Sequence, residues 1–251
     1  MKACIIIFVL IVAVGCSGDI QKVTFTPAAG DQERIESIDG FADFIVGESP
    51  FHVISGRYEK KDWKTNSFAL CYKEDWTFLF NCKWYELYKD LEYKDKDEIA
   101  TILTKNNLVR SIALENYKVG DMLLKNFYLA FYNDTLVAIQ FEPDIEDRED
   151  MRNHYVEKYG SGNGFSNTYD LMDAMGRYTN KEHREWDNHS ISLTYDRFKF
   201  IDKREGYNMD ENIYFYAHKR LYPLFLDEIT REVEGYIKKQ EEDKEASLSA
   251  F

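Results

Sequence analysis

The sequence predicts an α+β fold with a mostly antiparallel sheet, helices packed on one face, and a C-terminal helix. Aromatic residues are frequent, with 18 Tyr, 17 Phe and 4 Trp, which favours sheet and a sizeable core. Short runs rich in these residues are separated by turn pairs such as Asn133-Asp134. Near the C-terminus, helical spacing of four apolar residues predicts a helix that packs on the body: Leu226, Ile229, Val233 and Tyr236.

The first 15 residues have the layout of a secretory signal. Lys2 supplies the positive charge, and an apolar run from Ile5 to Val14 follows it. This run is too short to cross a bilayer, which needs roughly 20 apolar residues. Small residues then lead into Cys16. The pattern predicts that residues 1–15 are removed.

A cysteine directly after Gly15 resembles the signal of bacterial lipoproteins. The resemblance implies cleavage between Gly15 and Cys16, acylation of Cys16 with palmitate-type chains, and attachment of the protein to a lipid bilayer. It also implies a location in the bacterial cell envelope, at the outer rather than the inner membrane, with the body facing the periplasm or the exterior. Ala13 departs from the leucine most usual at its position. A plain secretory signal and an uncleaved anchor are the alternatives.

The remaining chain divides by composition. Residues 16–34 are polar, contain Pro27 and Gly30, and are predicted to form a tether between lipid and domain. Residues 35–238 are predicted to form one α+β domain, which could consist of halves at 40–107 and 108–238. Residues 239–251 are wholly polar apart from their last few positions and are predicted to form a frayed or disordered tail.

The first half is predicted to alternate strands and helices. Ser49 is expected to cap a helix whose first turn holds Pro50. A short strand precedes this helix at 40–46. An aromatic-rich hairpin is predicted at 67–72 and 77–88, followed by a short helix at 97–105 with Ile99, Ile102 and Leu103 on one side.

The second half is predicted to begin with a meander of strands at 109–119, 123–132 and 135–142. A helix follows, in which Met151, Tyr155 and Tyr159 recur every four residues after an acidic start, and Gly160 ends it. Further predictions, in chain order, are a Gly and Ser loop at 161–167, a short helix at 169–178, strands at 186–195 and 212–218, and the C-terminal helix from Pro223.

One pair of segments is similar within the chain. Residues 62–72 align with 185–195, with Trp, Ser, Leu and Tyr at matching positions. The alignment favours a duplicated helix-loop-strand-strand unit. The alternative is that any strand entered through a tryptophan and alternating in hydrophobicity has this pattern.

The strand ending at Val46-Gly47, the helix opened by Ser49-Pro50 and the antiparallel strands after it resemble a unit of two protein groups. These are the beta-lactamase-inhibitor-like proteins and the small outer-membrane lipoproteins of the barrel-assembly machinery. The resemblance covers roughly residues 40–88 and extends by analogy to 135–218. It implies protein binding on an antiparallel sheet without catalysis.

The net charge limits the partners. The formal charge of −13 argues against nucleic acid, because phosphates are bound by clustered Lys and Arg.

Once Cys16 is acylated and the signal is removed, Cys71 and Cys82 are the cysteines that remain. If Glu74-Asp75 is a two-residue turn, the two alpha carbons lie beyond the roughly 7 Å that a disulfide spans. Two buried thiols and a disulfide are therefore both retained as alternatives.

The sequence predicts no catalytic residue, metal site or cofactor. The densest histidine group, His183 with His189, lacks the spacing of a zinc-binding helix. There is no nucleophile elbow, and the glycine-rich segment 160–164 lacks the Lys-Ser/Thr continuation of a phosphate loop. His52 and His154 are expected on helix surfaces, and the acidic segment 146–150 as a solvated helix start.

These observations favour a non-catalytic, membrane-anchored envelope lipoprotein that binds or scaffolds another protein. The first alternative is a glycan-binding module that stacks sugars on exposed aromatic residues, with candidates Trp63, Trp76, Trp84 and Trp186. The second alternative is a hydrolase without a recognisable motif, which would need a pocket with convergent polar groups.

Overall fold

The computed structural model describes residues 20–57, 63–65, 93–114, 117–169, 177–202 and 205–249. Its strands are β1 (Ile20–Phe25), β2 (Gly40–Phe41), β3 (Phe44–Ile45), β4 (Trp63–Thr65), β5 (Val109–Leu114), β6 (Tyr117–Val119), β7 (Met122–Tyr132), β8 (Thr135–Pro143), β9 (Asn163–Tyr169), β10 (Arg177–Asp187), β11 (Ile191–Asp202) and β12 (Tyr207–His218). Its helices are α1 (Gln32–Glu36), α2 (Phe51–Arg57), α3 (Tyr93–Lys105), α4 (Arg148–Tyr159) and α5 (Leu221–Ser249).

Ten of the described strands form one sheet in which every pairing is antiparallel. The order across the sheet is β1-β9-β10-β11-β12-β8-β7-β5-β4, and β6 also pairs with β7. The strands β2 and β3 form a separate hairpin. The predicted α+β class with a mostly antiparallel sheet and a C-terminal helix is confirmed.

Helices cover both faces of the sheet, and the prediction that they pack on one face is wrong. Along β7, Phe127, Leu129 and Phe131 belong to one core cluster, whereas Tyr128 and Ala130 belong to the other. Successive side chains of a strand point to opposite faces, so the two clusters lie on opposite sides of the sheet. The first face carries α1, α2 and α4, and the second face carries α3 and α5.

The meander at the centre of the sheet is confirmed. Asn133 and Asp134 form the turn between β7 and β8 with φ of 48° and 65°. A two-residue hairpin turn of this kind needs positive φ at both positions, which Asn and Asp tolerate. Asp134 also caps the N-terminus of α2. Its carbonyl oxygen accepts a hydrogen bond from Phe51 N, and its side chain accepts one from His52 N at 3.2 Å.

Ser49 does not cap α2 as predicted. Its hydroxyl accepts a hydrogen bond from Ile45 N at 2.9 Å, so it closes the turn after β3. The predicted strand 40–46 is a tight hairpin, in which Ala42 has a φ of 53°. The helix after Pro50 is confirmed at Phe51–Arg57.

The predictions for three helices are confirmed. Helix α3 begins one turn earlier than predicted and buries Ile99 and Leu103. Helix α4 buries Met151, Tyr155 and Tyr159 and ends at Gly160, which has a φ of 82°. Helix α5 buries three of the four apolar residues that predicted it, Ile229, Val233 and Tyr236. The fourth, Leu226, is half-buried at the edge of the same cluster, in which Phe225 is fully buried.

Two segments predicted to be irregular are ordered. Residues 20–25, within the predicted tether, form the edge strand β1, and α1 also begins inside that range. Helix α5 continues through Ser249 in the predicted tail, where its side chains are exposed. A polar helix can extend beyond the core because its backbone hydrogen bonds are satisfied internally. None of the described helices has the length and apolar composition that crossing a membrane requires.

The strand pattern after α4 also differs from the prediction. Residues 163–169, expected as loop, form β9 between β1 and β10. Gly164 makes this possible, because a Cβ there would lie 2.0 Å from the His183 carbonyl oxygen. Of the helix predicted at 169–178, residues 170–176 lie outside the described residues, and both described ends belong to strands.

The strand predicted at 186–195 is a hairpin. Trp186 is the penultimate residue of β10, which ends at Asp187; Asn188 to Ser190 form the turn, and β11 begins at Ile191. This arrangement does not match the loop-strand order proposed for a duplicated unit. In the other copy only 63–65 is described, and the predicted hairpin at 67–72 and 77–88 lies outside the described residues together with Cys71 and Cys82.

Candidate functional site

A groove of about 370 Å³ opens on the first face of the sheet, between α4 and the β2-β3 hairpin. Four separate parts of the chain line it: the hairpin, the turn from β6 to β7, one side of α4, and β12. Concave, mostly apolar sites built from several elements are the usual form of binding pockets. The walls and floor are formed mainly by Phe41, Val119, Met122, Met151, Tyr155 and Tyr216.

Two tyrosines form the polar part of the floor. The hydroxyl groups of Tyr155 and Tyr216 lie 2.6 Å apart and share a buried hydrogen bond. Burial raises the pKa of both tyrosines well above the ordinary value, because an ionised phenol would lose its hydration. Both hydroxyls therefore stay protonated at physiological pH and act as hydrogen-bonding groups.

Local sequence explains how the walls are positioned. Met151 and Tyr155 are four residues apart and so face the same side of α4. On the opposite wall, Gly40 lets the hairpin close, since a Cβ there would lie 1.9 Å from the Phe44 carbonyl oxygen. Phe41 is thereby held with its ring centroid 4.2 Å from that of Phe141. The groove is thus walled by residues that the core itself fixes.

The rim of the groove is basic. His154 and Lys158 are exposed, lie one helical turn apart on α4, and border the groove. The Lys158 Nζ atom lies 4.8 Å from the centroid of the Tyr159 ring, a distance typical of a cation-π contact. A positive group at the edge of an apolar groove favours a ligand with an apolar part and a neighbouring acidic group.

A network of ion pairs lies next to the groove, between α4 and β10. Arg152 Nε donates to Glu182 Oε1 at 3.0 Å, and Arg184 Nε donates to the same oxygen at 2.6 Å. Glu182 and Arg184 are both buried. Burial lowers the pKa of Arg152, but the Coulombic attraction of Glu182 and the hydrogen bond that Arg152 donates to it raise that pKa overall. The network joins α4 to the sheet.

The network extends to β11 and β12. Arg197 lies 3.4 Å from Asp210, and Arg148 donates to the Asp210 carbonyl oxygen. Tyr195 donates to Asn212 at 2.8 Å, and Asn212 in turn donates to Asp210 at 3.0 Å. Glu182, Arg184 and Asn212 are buried, and each has a partner of complementary charge or hydrogen-bonding type.

A second, smaller pocket of about 290 Å³ lies on the second face, over β9 to β12. His183 Nδ1 and Asp196 Oδ1 lie 2.8 Å apart in it, as a directly opposed cross-strand pair. The hydrogen bond that the His183 imidazole donates to Asp196 raises the pKa of His183, against the lowering effect of burial. Lys181 Nζ lies 5.2 Å from the centroid of the Phe198 ring. Charged and aromatic groups alternate here on an open sheet surface.

Most residues singled out by the sequence lie elsewhere. Cys16 and Gly15 lie outside the described residues, as do Trp76 and Trp84, and only the backbone of Trp63 is described. Trp186 is 1% exposed and donates to the Gly160 carbonyl oxygen at 2.9 Å. It cannot stack on a sugar, which removes one of the four tryptophans that the glycan-binding alternative relied on.

The histidines are dispersed. His183 faces Asp196 on β10, whereas His189 lies exposed in the next turn, 3.6 Å from Glu36. His52 pairs with Asp134 at 2.6 Å on the surface. Within the described ranges, no group of three or more His, Cys, Asp or Glu side chains is arranged to hold a metal ion. His154 alone borders the groove.

Comparisons with known proteins give no relative for this chain. No family model matches it, and neither a curated protein nor a solved structure shows significant similarity to it.

Sequence reasoning missed the groove and the ion-pair network. The spacing of Glu182, Arg184 and Trp186 at alternate positions is the strand pattern of one covered face, and it could have indicated the network. No local signal connects Tyr155 with Tyr216, which are 61 residues apart in the chain.

Proposed function

We propose that the protein is a non-catalytic lipoprotein of the bacterial cell envelope that binds another protein in the groove between α4 and the β2-β3 hairpin. Acylated Cys16 would hold it on the bilayer, with the outer membrane as the favoured location. The observation that carries the binding role is the groove of about 370 Å³ with apolar walls and Lys158 at its rim. Its chemistry suits an apolar side chain of the partner followed by an acidic one.

Two features support binding rather than catalysis at this site. The floor hydroxyls of Tyr155 and Tyr216 bond each other, and burial raises the pKa of both, so neither serves as a base or nucleophile at neutral pH. The walls are fixed by the core, so little ordering free energy is lost when a partner binds. The resemblance of residues 40–88 to protein-binding envelope units points in the same direction.

The binding role can be tested by cross-linking in cells that make the full chain. A photoreactive amino acid in place of His154 on the rim is expected to give a discrete adduct with a partner protein. The same substitution at Val53, on exposed α2, is expected to give none, because Val53 does not line the groove.

A pair of valine variants supplies the matched control. Val119 lines the groove and Val53 does not, yet each is 38% exposed. Val119→Glu places a charge beside the apolar walls and is expected to reduce the adduct at position 154 at least about tenfold, equivalent to roughly 1.4 kcal/mol of binding. Val53→Glu is expected to leave it unchanged. An adduct that survives Val119→Glu would contradict binding in the groove.

The anchor is tested separately. The wild-type chain is expected to incorporate labelled palmitate and to sediment with membranes, and Cys16→Ser is expected to abolish both. Equal membrane attachment of the Ser variant would show that Cys16 is not the anchor.

A further inference from the structure

The floor of the groove contains a hydroxyl proton that the protein itself does not use. Tyr155 and Tyr216 each carry one O–H donor, and each oxygen can also accept. Their hydroxyls lie 2.6 Å apart and bond each other, which uses one of the two protons. Within the described ranges, neither hydroxyl has a further hydrogen-bond partner. One O–H donor, and lone pairs on both oxygens, are therefore left for a ligand.

The surroundings of this donor are apolar. Tyr155 is 4% exposed and Tyr216 is 1% exposed. The ring centroid of Tyr155 lies 4.6 Å from that of Tyr214 and 6.2 Å from that of Trp186. A buried donor without a partner is unfavourable, because it has lost its hydration without gaining a hydrogen bond. A ligand that supplies the missing acceptor therefore binds more tightly than one of the same shape that does not.

This requirement selects among the side chains that a partner protein could insert. Leucine, isoleucine, valine and phenylalanine have no acceptor, the tryptophan nitrogen only donates, and the methionine sulfur accepts weakly. Carboxylates accept, but they lose their hydration at a buried floor. The remaining polar side chains bury little apolar surface or bring a second polar atom against the walls. Tyrosine combines a large apolar ring with a hydroxyl at its far end that both accepts and donates.

The walls of the groove suit an aromatic ring. Phe41 lines the side of the β2-β3 hairpin, Met151 lines the side of α4, and Met122 lies at the turn from β6 to β7. Methionine sulfur atoms make favourable contacts with aromatic rings. The groove volume of about 370 Å³ leaves room for a ring and part of the main chain that carries it.

We propose that the partner inserts a tyrosine side chain into the groove, where its hydroxyl joins those of Tyr155 and Tyr216 in a cycle of three hydrogen bonds. Each hydroxyl in such a cycle donates once and accepts once, so no donor is left unpaired. An acidic residue next to that tyrosine meets Lys158 at the rim. This inference rests on the proposed binding of a protein in the groove and names the residue type that anchors it.

Two capped tetrapeptides, Ala-Tyr-Asp-Ala and Ala-Phe-Asp-Ala, test the role of the hydroxyl. Each is titrated into the full chain, held in detergent, with carbon-13-labelled methionine methyl groups. Met122 and Met151 line the groove and Met209 does not, so ring-current shifts at the first two residues alone locate the ligand. The Tyr peptide is expected to bind at least about tenfold more tightly, because the Phe peptide leaves the floor donor unpaired.

Removal of both floor hydroxyls is expected to reverse this preference. The double variant Tyr155→Phe with Tyr216→Phe replaces both partners of the bond by apolar groups of the same shape, which changes stability little. The ligand hydroxyl then has no partner, so the Phe peptide is expected to bind at least about threefold more tightly. The control is Tyr214→Phe, which removes a buried hydroxyl outside the groove that has no partner among the described residues. It is expected to keep the preference for the Tyr peptide.

The outcomes separate the anchoring residue from the groove itself. Equal affinities for the two peptides, or no binding of either at millimolar concentration, overturn the tyrosine anchor. A preference for the Tyr peptide that persists in the double variant also overturns it, because the floor hydroxyls are then not its cause. In each case the adduct at position 154 and its loss in Val119→Glu still decide whether a protein binds in the groove.

Discussion

The central strand β8 and the long strand β11 are stabilised in different ways. Every residue from Leu136 to Phe141 in β8 is buried, on both faces. In β11, only Ile191, Leu193 and Tyr195 alternate as buried positions, and the residues from Asp196 to Ile201 are half-exposed. The reason is what covers each face. The β2-β3 hairpin, through Phe41 on Phe141, and α5 pack on opposite faces of β8. The long strands are covered by α4 on the first face, and their second face is an open surface over β9 to β12.

The difference shows where apolar burial gives way to polar contacts. Around β8 the side chains are aromatic or aliphatic and belong to the two core clusters. Around β10 to β12, ion pairs and hydrogen bonds such as Glu182 with Arg184 and Tyr195 with Asn212 are added to the apolar contacts of the first cluster. The groove lies where the two regions meet, because Tyr216 of β12 forms part of its floor and Phe41, which packs on Phe141 of β8, forms part of its wall. The following substitutions test this contrast.

The largest effect is expected from Phe141→Ala in β8. Phe141 is fully buried and stacks on Tyr214 at 5.3 Å. Removing a buried ring leaves a cavity and is expected to reduce the free energy of unfolding by about 4 kcal/mol. The control is Phe198→Ala in β11, where the ring is half-exposed and a loss of about 1 kcal/mol is expected. Chemical denaturation measures both, and equal losses would remove the distinction between the regions.

The next effect is expected from Glu182→Gln in the ion-pair network. The substitution keeps the shape of the side chain but leaves Arg184, which is buried, without its carboxylate. Removing one partner of a buried pair is expected to cost about 3 kcal/mol. Glu185 lies on the other face of β10 and accepts a hydrogen bond from the Ser192 hydroxyl at 3.3 Å, so Glu185→Gln is expected to change stability by less than about 0.5 kcal/mol. If Glu182→Gln leaves the free energy of unfolding unchanged, apolar packing alone holds the long strands.

Asn188→Ala is expected to have an intermediate effect. Its amide donates to the Ile38 carbonyl oxygen at 2.9 Å, and its oxygen accepts from Ile191 N at 2.7 Å, within a buried turn. Asn188→Ala leaves these backbone groups without partners, which is expected to lower the free energy of unfolding by about 2 kcal/mol. The neighbouring His189→Ala, on an exposed side chain, serves as the control in the same thermal and chemical unfolding experiments. If both variants unfold alike, the turn does not depend on this side chain.

The smallest effect is a pH dependence from His183 and Asp196. Because the folded-state pKa of His183 is raised, its contribution to stability is fully present below the unfolded value near 6.5 and is lost as the pH rises through the folded value. The difference in unfolding free energy between wild type and Asp196→Asn is therefore expected to be larger at pH 5.5 than at pH 8. The half-exposed pair limits it to less than about 1 kcal/mol.

This comparison also separates two histidines. Burial lowers the pKa of His218, so its contribution to stability is lost as the pH falls. That contribution has the opposite sign and is common to wild type and Asp196→Asn, so the difference between them isolates His183. A difference that grows with rising pH would contradict the assignment to this pair.

The local sequence pattern was sufficient to predict those elements whose contacting residues are also close together in the sequence. The turn at Asn133-Asp134 and the helix with Met151, Tyr155 and Tyr159 were predicted because their hydrogen bonds lie within a few residues. The strand β9 was missed because its Gly and Ser residues have low strand propensity, and its pairing with β1 and β10 overrides that preference. The groove was missed for the same reason, as its walls come from distant parts of the chain.

The amino-acid sequence by itself determined the acidic α+β character, the central meander, the helices α3, α4 and α5, and the prediction of acylation at Cys16. Tertiary structure decided which faces the helices cover, that β1 joins the sheet, and that Tyr155 meets Tyr216. The physical reason is the distance along the sequence over which each interaction acts. Periodicity and turn residues act over a few positions. The choice of sheet neighbours depends on burying complementary surfaces from segments more than a hundred residues apart, such as Phe25 beside Gly164.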